Sequence, residues 1–283
     1  MTQQLEKLKD WIGQKESDID YVTVPAVHRL AATLDRDDPM PKLGDPLPVG
    51  WHAMLFPRVV RQSQIGADGH PERGDFLPPV PLPRRMFAGR RTRFVAALRV
   101  GDEARRESTI KDVTVKQGRT GQMVFVTVRT DIASPRGLAI TEEQDLVYRE
   151  AAASGAAPPA SQPAPGRAVW SRTVTPDQVM LFRYSALTFN GHRIHYDFPY
   201  VTKTEGYPDL VMNGGLTTLL VYELVRAHAT APIRNMSSRN VRALFVNRPI
   251  ALGGEPSADN RTARLWALDD SGALALAADA EFE

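Results

Sequence analysis

Residues 184–197 combine imidazoles, an amide and a carboxylate in one short run and place Asn190 and His195 at either end of a short spacer, Gly191-His192-Arg193-Ile194. Histidine is the side chain whose unperturbed pKa lies nearest neutrality, so His195 can take and return a proton within one cycle. Asn190 offers one carbonyl acceptor and two N–H donors, enough to hold a water against that imidazole. Further on, Asn213-Gly214-Gly215 opens the apolar run 216–225, whose pattern predicts a buried helix. Amides at a helix start carry partial positive charge and bind oxyanions, and glycine there lets a thioester or carboxylate approach the backbone. The pattern predicts a water-handling histidine, His195 with Asn190 as its polar partner, beside an oxyanion site at the Asn213-Gly214-Gly215 helix entry. The plainer alternatives are imidazoles that satisfy buried backbone groups and an Asn-Gly turn that merely enters a helix.

Other chemistries fit less well. His192 and His195 have a His-x-x-His spacing, but the motif supplies no third and fourth ligand beyond Asp197, so no metal is expected. Asp197 precedes Phe198-Pro199-Tyr200 and is expected to cap a helix rather than to catalyse. Ser185, His195 and Asp197 lack a nucleophile-elbow context, which argues against a serine hydrolase. Neither Gly-x-Gly-x-x-Gly after a strand nor Gly-x-x-x-x-Gly-Lys-[Ser/Thr] occurs.

The elements that must position these residues divide at an Ala/Pro-rich stretch, 151–166, which reads as a partly extended linker between halves 1–150 and 167–283. The N-terminal half opens with an amphipathic helix and a second helical segment, Val22–Leu34. A Pro/Gly-rich middle, Pro39 to Pro83, follows. Strands are then expected at Thr92–Val100, Glu107–Gln117, Gln122–Asp131 and Leu138–Tyr148, joined by hairpin turns. In the second half, Thr175–Asn190 reads as a helix with Pro176 at its first position and with Val179, Phe182 and Leu187 on one face. A short helix after Asp197 and a longer one from Gly215 to Ala229 follow, then strands at Val241–Val246, Thr262–Leu268 and Leu274–Ala280. A faint echo between Arg93-Phe94-Val95 with Gly101-Asp102-Glu103 and Arg242-Ala243-Leu244 with Gly253-Gly254-Glu255 favours two similar units.

Composition sets outer bounds. Hydrophobic content of 42% and charged content of 24% are those of a soluble globular protein. No apolar run is long enough for a membrane helix and the N-terminus has no signal-peptide core, so a cytoplasmic, non-membrane protein is expected. With 35 basic and 33 acidic side chains, the net charge of +2 is too balanced for a nucleic-acid binder. There is no cysteine, hence no disulfide, thiolate metal site or cysteine nucleophile. Arg84, Arg85, Arg90, Arg91 and Arg93 cluster, either as a solvated face or as a landing site for a phosphorylated ligand such as coenzyme A.

The run Arg183–Asp197, with Glu205-Gly206-Tyr207-Pro208-Asp209-Leu210-Val211, resembles the MaoC-like (R)-specific enoyl-CoA hydratases. More narrowly it resembles their double hot-dog branch, which contains mesaconyl-C4-CoA and itaconyl-CoA hydratases and the thioester dehydratases of type II fatty-acid synthesis. The N-terminal half matches more loosely, through Pro83–Arg90 and the strands after it. The resemblance implies an α+β double hot-dog: two units, each a central helix wrapped by a curved antiparallel sheet, sharing one active site. It also aligns Asn190 and His195 with an Asp-x4-His pair and makes Gly214 the oxyanion amide. Two positions depart from the family: Asn190 stands where an aspartate is usual and cannot accept a proton, and Asn213 stands where a histidine is common.

The same resemblance implies reversible hydration of a short enoyl-CoA, a C5 dicarboxylic one such as itaconyl-CoA or mesaconyl-C4-CoA, with citramalyl-CoA as product. No cofactor is implied; coenzyme A is part of the substrate. Arg183, Arg193 and Lys203 are candidate partners for a free substrate carboxylate, and Arg84 and Arg90 for the thioester carrier. His192, Asn213 and Gly215 complete the substrate-binding set. A homodimer is the further assembly to be considered. The alternatives are an acyl-carrier-protein dehydratase and a non-catalytic module that binds acyl thioesters.

Overall fold

The structure, a computed structural model, describes residues 5–72, 76–82, 84–118, 121–150 and 161–283. Its frame is a ten-stranded antiparallel sheet: β1 (Lys15–Tyr21), β2 (Arg84–Phe94), β3 (Glu103–Gly118), β4 (Gly121–Ser134), β5 (Gly137–Arg149), β6 (Trp170–Val174), β7 (Ile233–Asn240), β8 (Ile250–Pro256), β9 (Thr262–Leu268) and β10 (Leu274–Phe282). Four α-helices accompany it: α1 (Val24–Thr33), α2 (Gln178–Leu187), α3 (Phe198–Lys203) and α4 (Gly214–His228). The spatial order is β1-β3-β4-β5-β2-β7-β10-β9-β8-β6. Each half contributes one side of that order, and the second side is the mirror of the first. The seam is β2 against β7, from Gly89↔Arg239 to Arg93↔Asn235.

The mirrored order extends to single hydrogen bonds. Ala139 O accepts the N–H groups of Val95 and Ala96, and Ala275 O accepts those of Val241 and Arg242. Leu47 N donates to Leu98 O next to the Pro46↔Arg99 bridge, and Met212 N donates to Leu244 O next to the Val211↔Phe245 bridge. The sequence echo is therefore set in nearly the right place but a few residues out of register. Residues 94–102 and 241–249 are the equivalent connections, and Gly253-Gly254-Glu255 lies inside β8 rather than before it.

Central helices distinguish the halves. The C-terminal half has the fifteen-residue α4, packed on β6, β8 and β9 with ten consecutive residues, Leu216–Val225, buried. At the corresponding place the N-terminal half has one 3₁₀ turn, Trp51–Met54. The main core draws on both halves, from Val22 and Leu30 to Leu219 and Leu276, while a smaller one gathers Leu5, Phe76, Val80 and Val126. A buried polar tie also crosses between them. Glu223 of α4, 3% exposed, accepts from Trp51 Nε1 at 2.9 Å and from Arg36 at 2.6 Å. Burial pushes the Glu223 carboxyl pKa up, while those two donors oppose the shift.

Several elements depart from their sequence expectation. The N-terminal helix is seen over 5–11, ending as a 3₁₀ turn, Lys7–Trp11, with residues 1–4 outside the described residues; β1 follows as an edge strand whose charged, exposed face hides strand periodicity. The strand expected at Thr92–Val100 is β2, displaced to Arg84–Phe94. Residues 241–246 are irregular because they cross the approach to α4, and the strand is instead the polar β7 before them, which buries Ile233, Met236 and Ser238. Asp177, not Thr175, caps α2 through Met180 N at 2.7 Å. Val179 and Phe182 face outward, 60% and 65% exposed, and Leu181, Tyr184 and Ser185 face inward instead. Of the expected linker, 151–160 lies outside the described residues. Residues 161–166 are held to the second half through Gln162 O and Pro165 O, since backbone carbonyls accept hydrogen bonds whatever the side chains. No helix among the described residues is long and apolar enough to cross a membrane.

Removing the Glu223 carboxylate strands the Trp51 indole beside the core and leaves Arg36, 10% exposed at its side chain, with Asp38 alone. Glu223→Ala is expected to cost about 3 kcal/mol of stability, read as a lower urea midpoint; an unchanged midpoint would show that the tie is dispensable.

Candidate active site

His195 is fixed in one tautomer. It follows α2 in a 3₁₀ turn, Arg193–His195, and is 7% exposed. Its Nδ1 lies 2.7 Å from Val211 O. A carbonyl only accepts, so Nδ1 carries the proton and Nε2 presents a bare lone pair. Burial holds its pKa down to about 4, against the opposing pull of the Val211 bond. The imidazole is therefore neutral and base-competent at ordinary pH.

His192 stands edge to face with it, ring centroids 5.5 Å apart and planes at 88°. Burial, with the charges of His70 and His195, lowers the His192 pKa to about 3. A third imidazole, His70, approaches from the N-terminal half at 4.0 Å from His192. Asp68 binds His70 twice, accepting its backbone N–H at 2.9 Å and lying 3.1 Å from its Nδ1. The hydrogen bond from His70 holds the Asp68 carboxyl well below the usual carboxylate range. Asp68, His70 and His192 place one potential ligand atom each within 4.8 Å of one another. The trio contains His192 but not His195, and its other two groups come from far away in sequence.

Backbone contacts dock the 66–70 loop onto the motif. Arg193 N donates to Asp68 O at 2.9 Å, and its guanidinium donates to Ala67 O at 2.8 Å. Gly69, at φ +87°, sits so close to Gly191 that a Cβ on it would lie 2.0 Å from Gly191 O. Only glycine tolerates both that φ and that approach.

Most of the motif's other polar groups build the loop itself. Asn190 Oδ1 accepts His192 N at 3.0 Å, an Asx-type turn, so that oxygen serves the loop rather than His195. Arg193 is committed to Asp197 at 2.7 and 2.9 Å and stacks over Tyr200 at 4.1 Å. These contacts make it a clamp on the motif loop. Asp197 caps α3 through Tyr200 N at 3.0 Å, as its place before Phe198-Pro199 predicts. Arg183 and Lys203 are exposed, Arg183 on the outward side of α2.

The start of α4 lies alongside. Asn213, 2% exposed, precedes the helix, and its Nδ2 donates to Ser185 Oγ at 3.2 Å. Its Oδ1 is buried without a hydrogen-bond partner. Gly214 and Gly215 begin the helix and leave their amides free, as at any helix N-terminus. A Cβ on Gly215 would lie 2.5 Å from the Tyr184 hydroxyl, so Gly215 makes room for a buried phenol at the oxyanion end. Burial pushes that phenol up to about 12, keeping it protonated.

The arginine cluster does not form one phosphate site, because strand alternation splits it. Arg90 turns inward, with Nε 3.1 Å from Glu142 Oε1 and its charge acting on Tyr184. Arg91 faces outward and pairs with Glu143 and Asp145. Arg84 gives backbone to β2, and its side chain lies outside the described residues. Arg85 is half-buried, its charge acts on His192, and it has no acidic partner among the described residues. A cavity of about 200 Å³, lined by Val49, Gly50, His52 and Phe94 of the N-terminal half together with Pro232 and Ile233, lies at the place equivalent to the start of α4 and contains none of the three clustered histidines.

Comparison with known proteins agrees with this arrangement. The sequence profile of the hydroxyacyl-thioester dehydratase type 2 family matches residues 50–246. The chain belongs to this family. It is 46% identical over 271 residues to mesaconyl-C(4)-CoA hydratase of Chloroflexus aurantiacus, covering 96% of each chain. It is 26% identical to the mitochondrial hydroxyacyl-thioester dehydratase type 2 of Schizosaccharomyces pombe, covering 87% of this chain and 90% of the relative. In fold it matches a MaoC-like dehydratase from Phytophthora capsici, with TM-score 0.74 at 10% identity, covering 99% of this chain and 97% of that one. The α+β double hot-dog expected from the motif is therefore the fold of this family member.

Asp68, His70 and Arg85 are not distinguished as site residues by their sequence context. Asp68-Gly69-His70 sits in a Pro/Gly-rich stretch and reads as a turn, and Arg85 is one of five clustered arginines. Only the contact with the C-terminal motif sets them apart.

Unfolded, His195 titrates near 6.5, whereas folded it titrates near 4. The stability that its neutral burial contributes is present above pH 6.5 and lost as pH falls towards 4, a loss of roughly 3 kcal/mol. Urea titrations at pH 7.5 and 4.5 are expected to show a smaller acid loss in His195→Gln than in the wild type. Equal losses would refute the burial effect.

Proposed function

We propose that this protein adds water reversibly across the double bond of a C5 dicarboxylic enoyl-CoA, itaconyl-CoA or mesaconyl-C4-CoA, giving citramalyl-CoA. One observation carries the chemistry: a buried, neutral histidine whose Nδ1 proton is fixed on Val211 O, leaving Nε2 as a base beside the N-terminus of α4. The substrate class rests on the 46% identity, over nearly the whole of both chains, to a mesaconyl-C(4)-CoA hydratase.

With mesaconyl-C4-CoA, whose double bond is conjugated to the thioester, His195 Nε2 takes a proton from water as the oxygen bonds to the β-carbon, and electron density moves to the thioester oxygen; itaconyl-CoA enters this step only after its double bond has shifted from the methylene to the α,β position. The Gly214 amide stabilises that oxyanion; one well-placed donor is worth about 3 kcal/mol. The Tyr184 phenol and the Asn213 side chain adjoin the same helix start. Collapse of the enolate takes a proton at the α-carbon, so one water is added and His195 returns to its neutral form. Hydration calls for proton transfer and oxyanion stabilisation, and coenzyme A enters as part of the substrate.

In a mesaconyl-C4 thioester the free carboxylate is attached to the β-carbon, so its counter-ion must lie near the base. Arg85 meets that requirement better than Arg183 or Lys203, because its charge already acts on His192. A second reading, dehydration of a hydroxyacyl group on a carrier protein, is favoured by the family profile and the fission-yeast relative.

An absorbance assay over itaconyl-, mesaconyl-C4- and crotonyl-CoA and a crotonyl carrier protein separates these readings. The dicarboxylic esters are expected to lead; a lead for crotonyl-CoA or the carrier thioester would reject the C5 assignment. His195→Ala should lower kcat by about 10²–10⁴-fold, and near-wild-type turnover in the folded variant would reject the mechanism. Arg85→Gln should raise KM for the dicarboxylic esters while sparing crotonyl-CoA, and an equal effect on both would remove Arg85 from the carboxylate. The acid limb of kcat/KM should fall near pH 4, the value to which burial lowers His195, not near 6.5.

A further inference from the structure

We propose that Asp68, held by His70 on the N-terminal half, is the carboxylate of this active site and offsets the positive charge that the His192–His195 pair acquires when water is deprotonated. The inference rests on the hydration reading and adds to it a positioning residue and its partner from the opposite half of the chain.

A need for such a charge arises from the motif itself. His195 and His192 are both placed where burial disfavours their charged forms. Taking a proton from water nevertheless creates an imidazolium, and in a poorly solvated site that charge requires a counter-charge. The motif supplies none. Asn190 is neutral, and its amide oxygen is bonded to His192 N. Asp197 is the motif's own carboxylate, but it is neutralised by Arg193 and caps α3. Glu223, the buried acid of α4, is held by Arg36 and Trp51.

Asp68 has the required position. One of its oxygens lies within 4.8 Å of a His192 ring nitrogen, and its charge favours the protonated form of His192. His70 fixes both oxygens, Oδ1 through its backbone N–H at 2.9 Å and Oδ2 through Nδ1 at 3.1 Å. The loop cannot drift, since Arg193 binds the Asp68 and Ala67 carbonyls and Gly69 lies against Gly191. Those loop contacts use main-chain atoms, so altering the Asp68 side chain leaves them in place. Engagement of both carboxylate oxygens by His70 also favours a counter-charge over a cation ligand. In proton balance the group is a spectator: water's proton moves to His195, the α-carbon is protonated, and Asp68 stays ionised throughout.

The test uses the full-length protein and the ester that the wild type hydrates best. Asp68→Asn keeps the acceptor for His70 N, removes the charge and replaces the oxygen facing His70 Nδ1 with an amide nitrogen. It is expected to lower kcat about tenfold or more with KM changed less than about threefold. Adding Asn190→Asp, which returns a carboxylate beside His192, is expected to restore about tenfold in that background. Should Asp68→Asn fail to fold, Asp68→Ser, which also removes the charge and keeps a hydroxyl acceptor for His70 N, reads the same effect alone and with Asn190→Asp. Unchanged kcat, or a loss that Asn190→Asp does not repair, overturns the proposal while leaving hydration intact. Activity that chelation abolishes and zinc restores also overturns it, because Asp68, His70 and His192 would then hold a metal. A wild type inactive on every ester would remove the hydration reading, and this inference with it.

Discussion

The pairing of β2 with β7 is the constraint on which the rest of the molecule depends. It joins two five-stranded halves into one sheet. At its end a Cβ on Gly89 would lie 2.9 Å from Ser238 O, so the strands meet there with no room for a side chain. Because β2 follows the 66–70 loop and β7 follows α4, the seam brings the N-terminal loop and the C-terminal helix towards one another. Gly69 on Gly191 and Arg36 and Trp51 on Glu223 are further contacts made across the same divide.

The histidine motif divides its work between architecture and chemistry. Asn190, Arg193 and Asp197 close a turn, clamp a loop and cap a helix. These bonds hold His195 rigidly on Val211 O, so its tautomer is set before any substrate arrives. Rigidity and burial make a good neutral base but a costly imidazolium, and the same exclusion of water that strengthens an oxyanion contact penalises the charged histidine. A site built in this way depends on groups outside its own motif for charge balance. Here those groups, Asp68, His70 and Arg85, all belong to the N-terminal half.

Pseudo-symmetry explains why the halves are not interchangeable. The connections 94–102 and 241–249 follow the same hydrogen-bond scheme, yet a fifteen-residue helix fills one half and a single 3₁₀ turn the other. The N-terminal half consequently leaves a cavity where the C-terminal half presents a helix N-terminus. The N-terminal half instead contributes a loop to the site of the other.

Local chemistry made part of this legible in the amino-acid sequence. The Asn190–His195 spacing, the glycine entry to α4, the Asp197 cap and the strands now numbered β3, β4, β5, β9 and β10 are short-range features, written in adjacent residue types. Other elements were hidden because their stabilising partners are remote. The edge strand β1 is charged, and β2 and β7 are polar strands whose identity comes from pairing with each other rather than from alternation. The roles of the arginines were equally out of reach: Arg193 and Arg90 look like free cations until Asp197 and Glu142 are placed beside them. Sequence alone singled out His195 as the candidate base, because imidazole chemistry and helix-start electrostatics act over a few residues. Only the tertiary structure decided which charges surround it, because Asp68 and Arg85 reach His192 through the packing of two halves that are distant along the chain.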